Sequence, residues 1–187
     1  MAYIGLRKPI VAPATINAET GAITYGTKVA FGKAVSFNDS PSIAEAKLYG
    51  DDVLAESEKA VTSSALSLGT TDVPDACKTV MFGHQKSSAQ GSNEYSYNVD
   101  DESAYVGFAV IGVKKVDGVR SFEASFYPKT QWEEPTVDKS TRGENTEFTT
   151  PSTNGTALPD KDGNYKFEES FSTEADAIAY INTKFGG

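Results

Sequence analysis

Residues 105–132 constrain this chain more than any other stretch. Tyr105-Val106-Gly107-Phe108-Ala109-Val110-Ile111-Gly112-Val113 is a nearly unbroken apolar run, and that length and β-branched content mark a strand buried on both faces. Asp117-Gly118 follows, a dipeptide that tolerates the positive φ of a two-residue hairpin turn. Beyond it Phe122, Ala124 and Phe126 alternate with Glu123 and Ser125 up to Trp132, as in a return strand with one face on the core and one toward water or a partner. A chain built around such a hairpin needs further layers to cover it, so the expected class is mainly β.

The rest of the chain supplies short β-rich pieces separated by turns. Residues 10–16 and 23–31 read as a hairpin around Glu19-Thr20-Gly21, with Gly21 at a left-handed position. Residues 60–68 place Ala60, Thr62, Ser64, Leu66 and Leu68 on one face of a strand, and residues 144–150 and 165–171 read as two more. A turn over Asp160-Lys161-Asp162-Gly163-Asn164 precedes the last. Two helices are expected. One runs from Val73 to about Met81, capped by Asp72, with Pro74 and Asp75 in its first turn. The other has Thr173 as N-cap and Asp176 three residues on, places Ala175, Ile178, Ala179 and Phe185 on one side with Ile181 near it, and ends at Gly186-Gly187. The polar segments 40–58 and 84–103 read as long exposed loops, which in compact domains carry function.

At 187 residues one domain is expected. The formal charge of −9 argues against nucleic-acid binding through a phosphate-directed basic face and keeps copies soluble before association. With one cysteine, Cys77, no internal disulfide can form, in keeping with a reducing compartment. The stretch Pro9–Ala14 after Arg7-Lys8 is too short and too proline-rich for a signal peptide, and no run approaches the ~20 apolar residues of a membrane helix.

The chemistry-bearing residues favour plain roles. His84 is the only histidine, so any Ser-His-Asp or Cys-His arrangement must pass through it, and no orienting third group is evident. Asp160-x-Asp162-Gly163 opens like a calcium loop, but Phe171 stands where the closing Glu belongs. Gly21–Lys28 has the order Thr-Lys after its second glycine, the reverse of a phosphate-binding loop, and no helix follows. Asn154-Gly155-Thr156 matches a glycosylation triplet that means nothing without secretion. The neighbours Asp51/Asp52 and Glu133/Glu134 would point to opposite faces of a regular strand. No catalytic residue, cofactor or metal site is therefore expected.

Several segments, in order along the chain, carry a resemblance. They are Tyr3-Ile4-Gly5-Leu6-Arg7-Lys8-Pro9, Gly32–Ser36, Glu45-Ala46-Lys47-Leu48-Tyr49-Gly50-Asp51-Asp52, Ala104–Phe108, Lys114–Arg120, Gly143-Glu144-Asn145-Thr146-Glu147-Phe148-Thr149-Thr150-Pro151 and Thr173–Ile178. Together they resemble the major tail proteins (tail tube proteins) of long-tailed siphophages infecting Gram-positive bacteria. Gly50 departs from that family, in which Ala more often precedes the two aspartates.

The resemblance implies one tail tube domain over residues 1–187 without an appended immunoglobulin-like domain. It also implies an antiparallel β-sandwich or barrel with a flanking C-terminal helix and one short additional helix. The implied protein is a structural virion component without enzymatic activity, assembled in the bacterial host cytoplasm. Six copies would form a ring, and stacked rings a non-contractile tail through which phage DNA passes at genome ejection without specific binding. Implied partners are other copies of the chain, the tape measure protein, the tail terminator and the distal tail proteins. Candidate assembly or lumen residues are Tyr49, Asp51, Asp52, Glu123, Glu133, Glu144 and Glu147.

Three other readings stay open at this level. One is the inner tube protein of a contractile tail or secretion system, with the same fold. Another is a carbohydrate-binding β-sandwich using Trp132, Tyr95 and Tyr97 as a stacking platform. The third is a small hydrolase built on His84.

Overall fold

The computed structural model describes residues 2–50, 53–139, 141 and 149–187, and only the backbone of residues 46–50 and 53–58. The first strands are β1 (Ala2–Ile16), β2 (Ile23–Tyr25), β3 (Val29–Ala30), β4 (Ala34–Gly50) and β5 (Val53–Thr70). Helix α1 (Asp75–Phe82) precedes two short strands, β6 (Gln85–Lys86) and β7 (Tyr95–Ser96). The chain then forms β8 (Val106–Val116), β9 (Val119–Trp132), β10 (Ser152–Leu158), β11 (Phe167–Phe171) and helix α2 (Glu174–Lys184).

The β8–β9 hairpin forms as its sequence demands. Asp117 and Gly118 both take positive φ, 48° and 86°, and Val116 pairs with Val119 across the turn. The apolar run is buried from Val106 through Val113, and successive side chains serve two separate cores. On one face Phe108 and Val110 meet Leu66 and Leu68 of β5, Tyr127 and Trp132 of β9, Phe31, and Cys77 and Met81 of α1. On the other, Ala109 and Ile111 join Ala124 and Phe126 of β9 beneath Ala177, Ile181 and Phe185 at α2.

Nine strands form one antiparallel sheet in the order β2-β1-β8-β9-β10-β5-β4, with β3 also on β1 and β11 also on β9. The β4–β5 end folds over the first core, where the Phe37 and Phe108 rings lie 5.5 Å apart. The sheet stays open and does not close into a barrel. Strands β6 and β7 make a separate two-stranded sheet.

Both helices differ in detail from their sequence readings. Helix α1 starts at Asp75 with Pro74 at its N-cap, and Gly83 (φ 76°) closes it by donating its N–H to the Lys78 carbonyl. Asp72 does not cap it; its carbonyl and carboxylate accept from the Thr70 and Thr71 hydroxyls. In α2 the Thr173 hydroxyl oxygen accepts from the Asp176 N–H at 3.2 Å, as expected. Its core face, however, is Ala177, Ile181 and Phe185; Ala175 and Ala179 are exposed. Among the described residues no helix is long and apolar enough to cross a membrane.

Two readings of the sequence need correction. Residues 40–58 are not a loop, since their described part lies in β4 and β5. In the 144–150 segment, residues 144–148 fall outside the described residues, and Thr149 and Thr150 are not in a strand. The strand of this region is β10, in which Thr153, Gly155 and Ala157 point inward and alternate with exposed residues.

Candidate assembly surface

The β4–β5 hairpin is the longest ladder in the molecule, pairing Ala34 with Thr70 at its root and Gly50 with Val53 at its far end. Its root is anchored, with Ser64, Leu66, Leu68 and Thr70 buried. Beyond Ser64 burial stops. Residues 59–62 and 41–45 are all exposed, although Ile43, Ala44 and Glu45 pair with Val61, Ala60 and Lys59. Ile43 and Val61 lie directly opposite one another and are 62% and 47% exposed, an apolar cross-strand pair left largely open among the described residues. A two-stranded ribbon in water is marginal by itself and gains stability when a third layer covers it. The strand is also a sheet edge, because among the described residues β4 has a ladder with β5 alone.

Two charge clusters sit where this hairpin meets the rest of the sheet. The Lys114 ammonium donates to Glu123, and the Tyr3 hydroxyl donates to the other Glu123 oxygen. The Lys114 ammonium also stands 5.0 Å from the Tyr3 ring centroid. Glu123 is only 4% exposed, and within the chain its carboxylate serves a buried lysine and a tyrosine hydroxyl. That corrects the expectation that the Glu123–Ser125 face of β9 is open, for Ser125 is buried too.

In the same cleft, of about 360 Å³, Asp39 accepts from the Ser64 hydroxyl, from the Tyr127 hydroxyl at 2.7 Å and from the Lys166 ammonium at 3.2 Å. Burial works against its charged form, but these donors win and hold its carboxyl below the ordinary range. Burial, followed by the Asp39 charge, pushes the Tyr127 phenol well up.

His84, directly after the Gly83 cap, is buried and held at both ring nitrogens. Nδ1 lies 2.8 Å from Asp101 Oδ2 and Nε2 lies 2.7 Å from Glu134 Oε2, while the Tyr97 ring packs at 4.1 Å. Burial opposes the charged ring, yet the two carboxylates raise its pKa above the usual histidine value. An imidazole donating from both nitrogens has no lone pair with which to take a proton from a nucleophile. The residue acts here as a clasp between the 84–103 segment and the end of β9. Cys77 is buried, and burial, then the Asp72 charge, pushes its thiol up to about 12, far from a reactive thiolate.

Of the sequence candidates, only Glu123 and Glu133 have described side chains, and they lie apart in exposure: Glu123 is buried and Glu133 is exposed. The backbone of Tyr49 pairs with Leu54 near the hairpin's far end. Asp51, Asp52, Glu144 and Glu147 lie outside the described residues. Glu133 is exposed just past the end of β9, where its N–H donates to the Asn154 carbonyl.

The aromatic platform does not form either. Trp132 is 1% exposed and its indole N–H donates to Thr130, Tyr95 lies under the Lys78 and Lys86 ammonium groups, and Tyr97 stacks on His84. Among the described residues no three His, Cys, Asp or Glu side chains converge as a metal site requires. In comparisons with known proteins, no family model matches the chain and no curated protein is similar to it.

Proposed function

We propose that this protein is a structural subunit of a hollow tube, the major tail tube protein of a non-contractile, long-tailed bacteriophage. The observation that carries this reading is the long β4–β5 hairpin, exposed at residues 41–45 and 59–62 and bearing the largely exposed Ile43/Val61 pair. Such a ribbon is stabilised by what other copies place upon it. The open sheet supports the same reading, since its free borders are templates for joining a neighbour, and closing six copies into a ring removes them. In the ring each chain contributes a sandwich of the tail-tube type, and ring-on-ring contacts repeat without limit because they are heterologous.

Acidic groups such as Glu133 suit a wall along which DNA slides without sticking, in keeping with a charge of −9. The tape measure, terminator and distal tail proteins are the partners of such a tube.

Negative-stain microscopy of the purified chain, with sedimentation over a wide concentration range, tests the proposal. Rings or tubes of uniform diameter are expected. A monomer at every concentration, with the β4–β5 hairpin resistant to protease, overturns it.

A further inference from the structure

We infer that the cleft between β4 and the β8–β9 hairpin binds a small neutral polyol of the size of one sugar ring. This goes beyond the tube reading and does not depend on it.

The cleft arises where the hydrophobic pattern of a buried face breaks. Going back along the face of β9 that Tyr127 presents to the first core, the next positions are Ser125, Glu123 and Ser121. On the same face of β8, Phe108 and Val110 give way to Gly112 and Lys114. Small and polar side chains leave about 360 Å³ open there, bounded also by Tyr3 and Leu6 of β1, Phe37 and Asp39 of β4, and Lys166. Departures of this kind from an otherwise consistent pattern are expected at functional sites.

One polar group in the cleft has no partner. Ser125 is 7% exposed, and strand alternation puts its side chain on the cleft face with Glu123 and Tyr127. Among the described residues its hydroxyl makes no hydrogen bond, whereas Glu123, Lys114 and Tyr127 around it all do. A buried hydroxyl in that state carries a cost that a ligand hydroxyl removes.

The charges, in contrast, are already matched. Lys166 stands 3.2 Å from Asp39 and 2.5 Å from Glu168, so it is not spare for an anion. Lys114 donates to Glu123, and a ligand ammonium would have to displace it or Lys166 from its carboxylate. A neutral ligand leaves both pairs intact.

Hydroxyl groups suit what remains. Each can donate and accept, as Ser125 can, and Asp39 and Glu123 keep lone pairs beyond those their present donors use. Phe37, Tyr3, Leu6 and Val110 supply an apolar wall for the C–H face of a sugar ring. Ligand pockets span ~300–1,000 Å³, and about 360 Å³ lies at the small end, which sets the ligand at a single ring.

Saturation-transfer difference NMR on the full-length chain reads the ligand's own signals, so it serves a monomer and a tube alike. The probes are glucose, galactose and N-acetylglucosamine, each titrated to ~50 mM, with putrescine and acetate as charged controls. Saturable transfer to at least one sugar, and to neither charged probe, is expected. Ser125→Ala weakens that binding about tenfold, and Ser125→Leu, which fills the cleft, abolishes it. Circular dichroism melts check that both variants fold, and the alanine variant decides if the leucine variant does not. Binding of putrescine or acetate alone overturns the polyol assignment, and sugar binding unchanged in Ser125→Ala overturns the site. No saturable transfer from any probe overturns the inference outright, leaving water to serve the Ser125 hydroxyl. None of these results alters whether rings or tubes form, so this inference and the tube reading fail separately.

Discussion

Glu123 and Lys114 are diagonal neighbours across the β8–β9 hairpin, Glu123 opposite Gly112 and Lys114 two positions along. The Tyr3 ring can lie against the sheet there because Gly112 has no side chain; a Cβ would come within 2.8 Å of it. Removing one member of such a buried pair leaves a desolvated charge behind. Glu123→Ala is therefore expected to cost about 3–5 kcal/mol in urea unfolding, whereas Glu123→Leu combined with Lys114→Met is expected to fall near wild type. Equal losses in both variants refute this account.

His84 carries a different expectation. Its folded pKa is raised, so the clasp's contribution is complete below the unfolded value of about 6.5 and is lost as pH rises through the folded value. Asp101 sets the acid limit. The Asn98 N–H and then His84 lower its pKa, so its share is lost only as pH falls through that depressed value. Nuclear magnetic resonance titration is expected to show the His84 ring protonating above pH 6.5, with the Tyr97 ring signals moving in step. His84→Gln abolishes that coupled shift. Chemistry-bearing residues were legible in the sequence only as types. That two carboxylates 17 and 50 positions away would hold both nitrogens of His84 depends on tertiary placement, which no local pattern encodes.

At the scale of elements, patterns driven by burial were readable and patterns driven by neighbours were not. The buried β8 strand, the Asp117-Gly118 turn and the Thr173 cap were all visible, because each rests on a local rule of hydrophobicity, φ or hydrogen bonding. Strand β10 was hidden because its inward positions are Thr153, Gly155 and Ala157, small or polar, and Asn-Gly is a dipeptide more typical of turns than of strands. The structure supplies the reason for the glycine. A Cβ at Gly155 would lie 2.7 Å from the buried Trp132 ring, so the strand can approach only without a side chain there. Gly155→Ala is expected to destabilise by about 1–3 kcal/mol through overpacking, read as a lower urea midpoint with unchanged slope. Trp132→Phe in the same chain should recover part of that loss by shrinking the ring. The β4–β5 hairpin was mistaken for a loop for the opposite reason. With residues 41–45 exposed at every position, nothing in a single chain imposes alternation on that stretch.

For the whole molecule, the two cores and the hairpin separate folding from association. Every cluster of buried residues lies on the root side of the Pro41–Ser64 pair, so the far part of the hairpin adds nothing to either core among the described residues. Replacing residues 42–63 by Asn-Gly, a dipeptide suited to the two-residue turn that would join Pro41 to Ser64, should therefore leave a folded domain. Its melting temperature is expected to stay within a few degrees of wild type, since no described residue of the deleted ribbon belongs to either core. Its association, in contrast, should vanish: on the proposed function, sedimentation velocity is expected to give a monomer under conditions where the intact chain is expected to give rings or tubes. The two measurements answer different questions. Loss of folding would place the hairpin inside the cooperative unit and contradict the burial pattern. A shortened chain that still assembles would move the contact to the other free sheet borders, at β2 or β11, and take from the ribbon the role its exposed Ile43/Val61 pair assigns to it.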